Sequence, residues 1–333
     1  MTEYPIDIVV PWLDDSDPAW VKQKSEYASS KYEDSNVNRF RDWGLLPYWF
    51  RGVEKFMPWV RTIHFVTWGH LPSWLNTEHE KLHIVNHRDY IPKEYLPVFS
   101  SHPIELNFHR IGALAEHFIY CNDDTYAMAP MKPEDFFRQG LPVDTAIEVP
   151  MRFFSGGIDH VIGNDMAVIN DNFRKREVVK NHFTKWISCK APKAALKNLY
   201  MLPVNHFSCF DNPHLPNAFL KSTWEQVWKA APERLEDTCS HKFRNNEDVN
   251  QWLFRYWQFA SGNFIQSGKC RGHFFSIGRD DKEIRKAMES GKFKMICLSD
   301  DSTELDFDQE RQFLKELFEA RFPAPSSFEK GQW

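Results

Sequence analysis

An apolar run that ends abruptly in acidic residues constrains the fold of this chain more than any other feature. Residues 118–121 are strand-like, and Asn122, Asp123 and Asp124 follow them directly. In α/β proteins, ligands bind beyond the carboxyl ends of parallel strands. Carboxylate oxygens at that position suit a hard divalent cation that also holds a diphosphate. The alternative is a turn or a helix cap, because Asn-Asp-Asp is common in both.

Strand-like and helical segments alternate through the first half of the chain. Apolar, β-branched runs predict strands at 6–10, 63–67, 82–86 and 118–121. Mixed three- and four-residue apolar spacing predicts helices at 48–56 and 105–117. Helical patterns then predominate at 165–183, 191–199, 224–231 and 247–259, followed by a strand at 294–298 and a helix at 308–321. This order predicts an α/β fold with a mainly parallel sheet flanked by helices and a helical insertion in the second half.

The composition excludes several classes of protein. The six cysteines are scattered and include no C-x-x-C pair, so neither a zinc knuckle nor a disulfide framework is indicated. The formal net charge of −5 argues against a nucleic-acid binder, which normally carries a basic excess. The first residues lack the pattern of a signal peptide, and no apolar run approaches the ~20 residues of a membrane span. We therefore expect a cytoplasmic protein.

Several sequence blocks, in the same order, resemble the Stealth family. They are IDIVVPWLDDSDP (6–18), RFRDWG (39–44), VEKFMPWVR (53–61), PSWLN (72–76), NDD (122–124), HLPN (214–217), SHKFRNNED (240–248) and CLSDD (297–301). The family comprises bacterial capsule and cell-wall hexose-1-phosphate transferases and the animal GlcNAc-1-phosphotransferase of lysosomal targeting. A collinear match over nearly the whole chain is far more specific than any single block.

The resemblance implies a glycosyltransferase-A-like nucleotide-diphospho-sugar fold and an unusual reaction. An acceptor hydroxyl attacks the sugar-bearing phosphorus of a UDP-hexose or UDP-N-acetylhexosamine, so that a phosphodiester forms and UMP leaves. It also implies Mg²⁺ or Mn²⁺ as cofactor and a surface glycan as acceptor, including a lipid-linked one at the inner membrane face. We expect one composite domain over residues 1–325, with a nucleotide-sugar part (1–150), a mostly helical acceptor part (151–290) and a closing strand and helix (291–325).

The same resemblance suggests roles for individual residues. His214 is the expected catalytic base, Arg244 the expected phosphoryl ligand, and Asp124 a third catalytic residue. The expected metal ligands are Asp123, Asp124 and Asp300. The expected substrate-binding residues are Asp14, Asp17, Arg39, Arg110 and Lys242. Each has a structural alternative, because acids and bases in such positions also serve as turn, cap and solvated surface residues.

The chain departs from the family pattern at three places. Asn217 stands where the family has a second histidine, and it can act neither as acid nor as base. Ser299 replaces an asparagine, and Trp68 and His70 fall within a segment that differs from the animal branch. Two other functions stay open at this point: an ordinary glycosyltransferase that releases UDP, and a non-catalytic glycan-binding module that uses the many aromatic residues for stacking.

Overall fold

The computed structural model of the protein describes residues 4–28, 42–154, 158–269, 271–301 and 305–331. Its strands are β1 (Ile6–Pro11), β2 (Ile63–Thr67), β3 (Leu82–Asn86), β4 (His117–Tyr120), β5 (Thr125–Ala127), β6 (Phe137–Arg138), β7 (Leu141–Asp144), β8 (Glu148–Val149), β9 (Cys209–Phe210), β10 (Asn217–Leu220), β11 (Ile265–Gln266), β12 (Gly272–Ser276) and β13 (Met295–Ser299). Its α-helices are α1 (Pro18–Tyr27), α2 (Leu46–Phe56), α3 (His87–Tyr90), α4 (Ser101–Leu106), α5 (Asp159–Asn172), α6 (Lys175–Asn181), α7 (Phe183–Trp186), α8 (Pro192–Met201), α9 (Lys221–Ala230), α10 (Pro232–Ser240), α11 (Trp252–Ala260), α12 (Asp281–Ser290) and α13 (Phe307–Arg321). Short 3-10 helices cover Lys93–Tyr95, Phe108–Arg110 and Pro133–Asp135.

A five-stranded sheet with the order β10-β4-β1-β2-β3 forms the centre of the fold. Strands β1 to β4 run parallel, and β10 joins β4 in the antiparallel direction. The sequence of β1 is almost continuously apolar and β-branched, and its residues before Pro11 are buried, as expected for a strand covered on both faces. The predicted α/β class with a mainly parallel sheet flanked by helices is confirmed.

Alternate residues of β1 contribute to two separate hydrophobic cores. Ile8 and Val10 belong to a core that includes α2, α12 and α13, whereas Val9 belongs to a core that includes α9, α10 and α11. This alternation follows from the two-residue period of a strand. Trp49 is fully buried in the first core and Trp224 in the second. These rings therefore serve packing, as the large buried area of aromatic side chains favours.

A second sheet, with the order β12-β13-β5, returns the last part of the chain to the centre of the molecule. β13 pairs antiparallel with β5, so that Cys297 lies opposite Thr125. The backbone N–H of Leu298 donates to the carbonyl oxygen of Asp124 at 3.0 Å. Because β5 follows the acidic turn after β4, this pairing places the residues after β13 beside that turn.

Helix α2 lies unusually close to β5. A Cβ atom on Gly52 would be 2.7 Å from the carbonyl oxygen of Ala127, a distance that real Cβ atoms do not adopt. The absence of a side chain at this position therefore allows the helix to pack directly against the strand backbone.

The predicted strands are confirmed, each to within one residue at either end, but the predicted helix at 105–117 is wrong. Helix α4 ends at Leu106, because the side-chain amide of Asn107 donates to the carbonyl oxygen of Pro103 at 2.8 Å and ends the α-helical pattern there. The chain continues as a 3-10 turn at Phe108–Arg110. His117 already belongs to β4.

Helices α5 to α11 dominate the region between Asp159 and Ala260, where the helical insertion was expected. The single helix predicted at 165–183 is three helices, because Phe173 adopts an extended conformation with φ −131° and ψ 133° and ends α5. Within the described ranges, no helix has both the length and the apolar character needed to cross a membrane.

Candidate active site

A cleft with a volume of about 690 Å³ lies at the carboxyl edge of the central sheet. It is lined by the residues that follow β1 and β4, including Trp12 and Asn122. Its acidic lining residues are Asp42, Glu105, Asp123, Asp124, Asp300 and Asp301. His214 and Arg244 line the same cleft. Sequence-distant groups that were expected to form one site therefore do face one cavity.

Asp124 and His214 form the central pair of this cleft. Oδ2 of Asp124 lies 3.5 Å from Nε2 of His214, and both side chains are about one-third exposed. The same imidazole nitrogen is 3.2 Å from the side-chain amide nitrogen of Asn122. Burial by itself would lower the pKa of His214, but the hydrogen bond and negative charge of Asp124 outweigh it, and the pKa is raised. The carboxylate therefore holds the imidazole in place and makes it a stronger base.

Sheet topology explains how residues from distant blocks reach this pair. β10 runs antiparallel to β4 with Asn217 opposite Tyr120, so the start of β10 lies beside the end of β4. His214 precedes β10 by three positions and is thereby brought to Asn122 and Asp124. Asp300 follows β13, which pairs with β5 on the other side of the acidic turn.

Asp123 carries the most perturbed carboxyl group of the turn. Its pKa is raised to about 7, because the walls of the cleft shield the carboxyl from bulk water and the negative charge of Asp124 disfavours a second one beside it. Asp123 is nevertheless exposed to solvent within the cleft, so the neighbouring charge of Asp124 is the firmer of the two causes. A cation bound between the two acids would relieve this repulsion.

The donor atoms around Asp124 fit a metal ion. Oδ1 of Asp124 is buried and has no hydrogen-bond partner among the described residues. Ligand atoms of Asp124, His214 and Cys297 all lie within 4.8 Å of one another. Sγ of Cys297 donates to Oδ2 of Asp124 at 3.5 Å, and burial with the nearby Asp124 charge raises the thiol pKa well above its usual range. The neutral thiol thus leaves the carboxylates as the suitable ligands for a hard cation.

Arg244 reaches the cleft on a loop that is organised by a buried acid. Asp248 is inaccessible to solvent, and its carboxylate oxygens lie 2.7 Å from Nδ1 of His102 and 2.7 Å from Nδ1 of His241. It also accepts a hydrogen bond from the backbone N–H of Asn245 at 3.0 Å. The guanidinium of Arg244 donates to Oγ of Ser101 at 3.3 Å. The 240–248 block is thereby attached to the start of α4, with Arg244 exposed to the cleft.

Four of the expected substrate-binding residues have structural partners and do not line the cleft. Asp17 caps α1 by accepting from Ala19 and Trp20, and Asp14 accepts from the backbone N–H of Ser16. The ammonium of Lys242 donates to the carbonyl oxygens of Tyr95 and Leu96 at 2.9 and 3.2 Å. Arg110 donates to Asn107 and lies over the ring of Trp228. Arg39 lies outside the described residues.

Comparisons with known proteins identify relatives along the full chain. Residues 39–143 match the family model for Stealth protein CR2, conserved region 2, and residues 284–333 match that for CR4, conserved region 4. The capsular polysaccharide phosphotransferase WcwK of Streptococcus pneumoniae is 39% identical over 98% of both chains. The chain belongs to the Stealth family. The predicted class, an enzyme that transfers phosphorus-containing groups, is confirmed by this relative and others.

Further relatives of this Stealth protein act in other bacteria. The receptor polysaccharide phosphotransferase WefC of Streptococcus oralis is 39% identical over 97% of this chain and 99% of its own length. The exopolysaccharide phosphotransferase cps2G of Lactiplantibacillus plantarum is 35% identical over 98% and 97%. Among solved structures, the galactosyltransferase LgtC with donor and acceptor sugar analogs covers 96% of this chain and 98% of its own, at 11% identity and a TM-score of 0.40. Similarity at that level supports no argument about function.

Both matched Stealth regions contribute acids to the cleft. Asp123 and Asp124 belong to the first region and Asp300 to the second. His214 and Arg244 lie between the two matched ranges and reach the cleft through β10 and the 240–248 block. The cleft is therefore lined by segments from most of the length of the chain.

Sequence reasoning missed several residues that line the Stealth cleft. Glu105 is buried and accepts from the phenol of Tyr120 at 3.0 Å, whereas the sequence pattern predicts only that it begins a helix. Asp42 was quoted in a block but given no role, although its charge adds to the raised pKa of Asp123. Trp12 and other aromatic residues also line the cleft, and apart from the high aromatic content nothing in the sequence indicates that they do. The position of Asp42 within the RFRDWG block (39–44) is the one sequence signal that points to it.

Proposed function

We propose that this protein transfers hexose-1-phosphate or N-acetylhexosamine-1-phosphate from a UDP-sugar to a hydroxyl group of a surface glycan. The oxygen of the acceptor forms a bond to the sugar-bearing phosphorus, and the bond from that phosphorus to the bridging oxygen of the diphosphate breaks. UMP leaves with the electron pair, and the product is a phosphodiester. One observation carries the proposal: Asp124, His214, Arg244 and Asp300 face one cleft in a chain whose relatives are polysaccharide phosphotransferases.

The residues of the cleft have complementary tasks in such a reaction. His214 takes the proton of the acceptor hydroxyl, and Asp124 orients its ring and stabilises the imidazolium that forms. Arg244 presents a planar fork of donors to the oxygens of the phosphoryl group in flight. Its exposure in the cleft and the anchoring of its loop by Asp248 support this role.

Asp123, Asp124 and Asp300 are proposed to hold Mg²⁺ or Mn²⁺. The buried Oδ1 of Asp124 without a hydrogen-bond partner among the described residues supports this choice, as do the burial and the neighbouring charge of Asp124 that raise the pKa of Asp123. When bound, the cation supplies positive charge that neutralises the diphosphate.

The reaction is proposed to take place in the cytoplasm, on a glycan acceptor at the inner membrane face. Free, mostly buried thiols such as Cys121 and Cys239 are consistent with a reducing compartment. The substitution of Asn217 for the second family histidine supports a mechanism with a single histidine base. The retained chemistry of the site counts against a glycan-binding module.

The identity of the released nucleotide tests the proposal. Purified protein is incubated with a panel of UDP-sugars, an acceptor glycan and Mn²⁺, and the nucleotides are separated by chromatography while ³¹P NMR follows phosphodiester formation. We expect UMP and a phosphodiester signal. Release of UDP without phosphodiester would identify an ordinary glycosyltransferase instead.

Substitutions then test the assigned roles. His214→Gln and Asp124→Asn should abolish turnover while the proteins remain folded. His206→Gln, which changes an exposed histidine outside the cleft, is the matched control and should keep full activity. Full activity in both cleft variants would show that the assigned roles are wrong.

A further inference from the structure

Helix α8 presents an apolar face to solvent. Its buried residues, which include Ala194 and Met201, attach one side of the helix to the protein. The opposite side carries Leu196, Leu199 and Tyr200, which are 70%, 52% and 80% exposed. A surface helix normally shows the reverse pattern, with its polar side outward. The apolar side of α8 is therefore available to a partner.

Buried hydrogen bonds fix this orientation. The side-chain amide of Asn198 donates to the carbonyl oxygens of Ala146 and Trp186, both at 2.9 Å. Its Oδ1 accepts from the backbone N–H of Glu148 at 2.8 Å. Rolling the helix to hide its leucines would leave these buried polar groups without partners, which is costly. The exposure is thus built into the fold.

Basic side chains flank the apolar face of α8. Residues 171–200 contain eight basic and two acidic residues in a chain whose formal charge is −5, and one of the eight, Lys175, is buried and paired with Glu148. Exposed bases include Lys190 before the helix and Lys193 and Lys197 one turn apart on it. On the helix, both lysines flank the row formed by Leu196 and Tyr200 on the same side. This combination of an apolar centre and a basic flank is complementary to a surface that is apolar below and negatively charged on top.

We propose that α8 docks the protein on an anionic lipid bilayer. The apolar side chains of α8 enter the boundary between headgroups and acyl chains, and its lysines extend their ammonium groups to the lipid phosphates. Binding is peripheral and depends on salt, because the attraction of the lysines to the charged surface is screened by ions. If the proposed function holds, this contact brings the cleft to lipid-linked acceptors, but the docking itself requires neither donor nor acceptor.

A second copy of the chain fits this face less well. Symmetric pairing through α8 would bring Lys193 and Lys197 of one copy against the same lysines of the other, and the like charges would repel each other. A small soluble ligand is also disfavoured, because such ligands bind in concave pockets and not on the convex side of a helix.

Co-sedimentation with vesicles tests the proposal. The wild-type protein should bind phosphatidylcholine vesicles that contain phosphatidylglycerol, and should bind much less to phosphatidylcholine alone or at high salt. Lys193→Gln/Lys197→Gln should lower the partition coefficient roughly 25-fold, because each lysine near an anionic surface contributes about a factor of five. The matched control is Lys282→Gln/Lys286→Gln on α12, which has the same length and the same spacing of exposed lysines. It should bind as the wild type does.

A third variant separates insertion from charge. Leu196→Ser/Leu199→Ser/Tyr200→Ser should remove the binding that persists at high salt and leave the thermal unfolding temperature unchanged, because these side chains are exposed. The proposal is overturned if wild-type protein stays in the supernatant with anionic vesicles at low salt, if the α12 control loses as much binding as the α8 lysine variant, or if the serine variant binds like wild type. It is also overturned if wild type forms a dimer that the serine variant abolishes while neither binds lipid. Turnover of soluble substrates is measured in parallel, so that loss of the proposed function is distinguishable from loss of docking.

Discussion

Removal of the Asp248 carboxylate should destabilise the protein and misplace Arg244 at the same time. Asp248 is fully buried and contacts two imidazole rings and one backbone N–H, each within 3.0 Å. One of these rings, His102, is itself buried. In Asp248→Ala the ring of His102 and the N–H of Asn245 lose their acceptor, and the buried ring cannot reach bulk water without opening the loop.

The expected loss can be worked out from these contacts. Breaking a buried ionic or charge-assisted contact by removing one partner costs roughly 3–5 kcal/mol, because the remaining group stays desolvated. Asp248→Asn keeps one acceptor oxygen and loses the negative charge, so we expect about 1.5–3 kcal/mol, the range of a hydrogen bond to a charged group. Since domains of this kind are stable by ~5–15 kcal/mol, the asparagine variant should remain folded at 25 °C.

Urea unfolding, followed by tryptophan fluorescence, measures the stability change, and steady-state kinetics on the asparagine variant measures the effect on Arg244. We expect a lower kcat in Asp248→Asn, because the loop that carries Arg244 is no longer held to the start of α4. Asp237→Ala changes a nearby exposed acid and should shift the free energy of unfolding by less than about 0.5 kcal/mol. If Asp248→Ala also shifts it by less than about 1 kcal/mol, the network does not hold the loop and the reasoning fails.

Four further outcomes are expected. Arg244→Lys should lower kcat/KM by about 2–3 kcal/mol of transition-state stabilisation with little change in the unfolding midpoint, and unchanged kcat/KM would remove Arg244 from the site. Chelation by EDTA should abolish turnover and Mn²⁺ should restore it, whereas Asp124→Asn should show weaker Mn²⁺ binding by calorimetry. Burial lowers the pKa of His87 to about 3, so below pH 6.5 the unfolded chain binds a proton at this side chain that the folded protein does not. The free energy of unfolding should therefore fall by ~1.4 kcal/mol per pH unit from this group as the pH drops below 6.5. In His87→Gln, urea midpoints measured at several pH values should depend less steeply on pH than those of the wild type. Gly52→Ala should cost roughly 1–3 kcal/mol in thermal unfolding, because its Cβ would overlap the carbonyl oxygen of Ala127.

The strands of the central sheet were predictable because their signal is local. The β-branched runs at 63–67 and 82–86 match β2 and β3 residue for residue, since an apolar run bounded by turn residues has few other stable conformations. Helix α4 was not predictable in the same way. Its end depends on the bond from the side chain of Asn107 to the carbonyl oxygen of Pro103, a contact that no periodicity reports.

The residues of the candidate site also divide into those with a local sequence signal and those whose position depends on tertiary contacts. The acids after β4 could be recognised from an abrupt change in polarity, and the histidine and arginine from a family resemblance. Lys242, quoted in the same block as Arg244, contacts two backbone carbonyls and lies away from the cleft. Sequence spacing does not distinguish these two bases, because their opposite orientations depend on the buried Asp248 and on the segment around Tyr95. The pairing of β13 with β5 was also hidden, since nothing local in either segment specifies its partner.

The pairing of β13 with β5 has a consequence for the folding of the chain during its synthesis. Asp124 and Cys297 are separated by 173 positions, so a ribosome releases the whole central sheet long before the strand that flanks its acidic turn has been made. A nascent chain that stops short of β13 therefore contains the turn and the histidine but neither Asp300 nor the backbone that pins the carbonyl oxygen of Asp124. If the proposed function holds, a nascent chain therefore lacks the full set of proposed metal ligands until β13 and Asp300 have been synthesised.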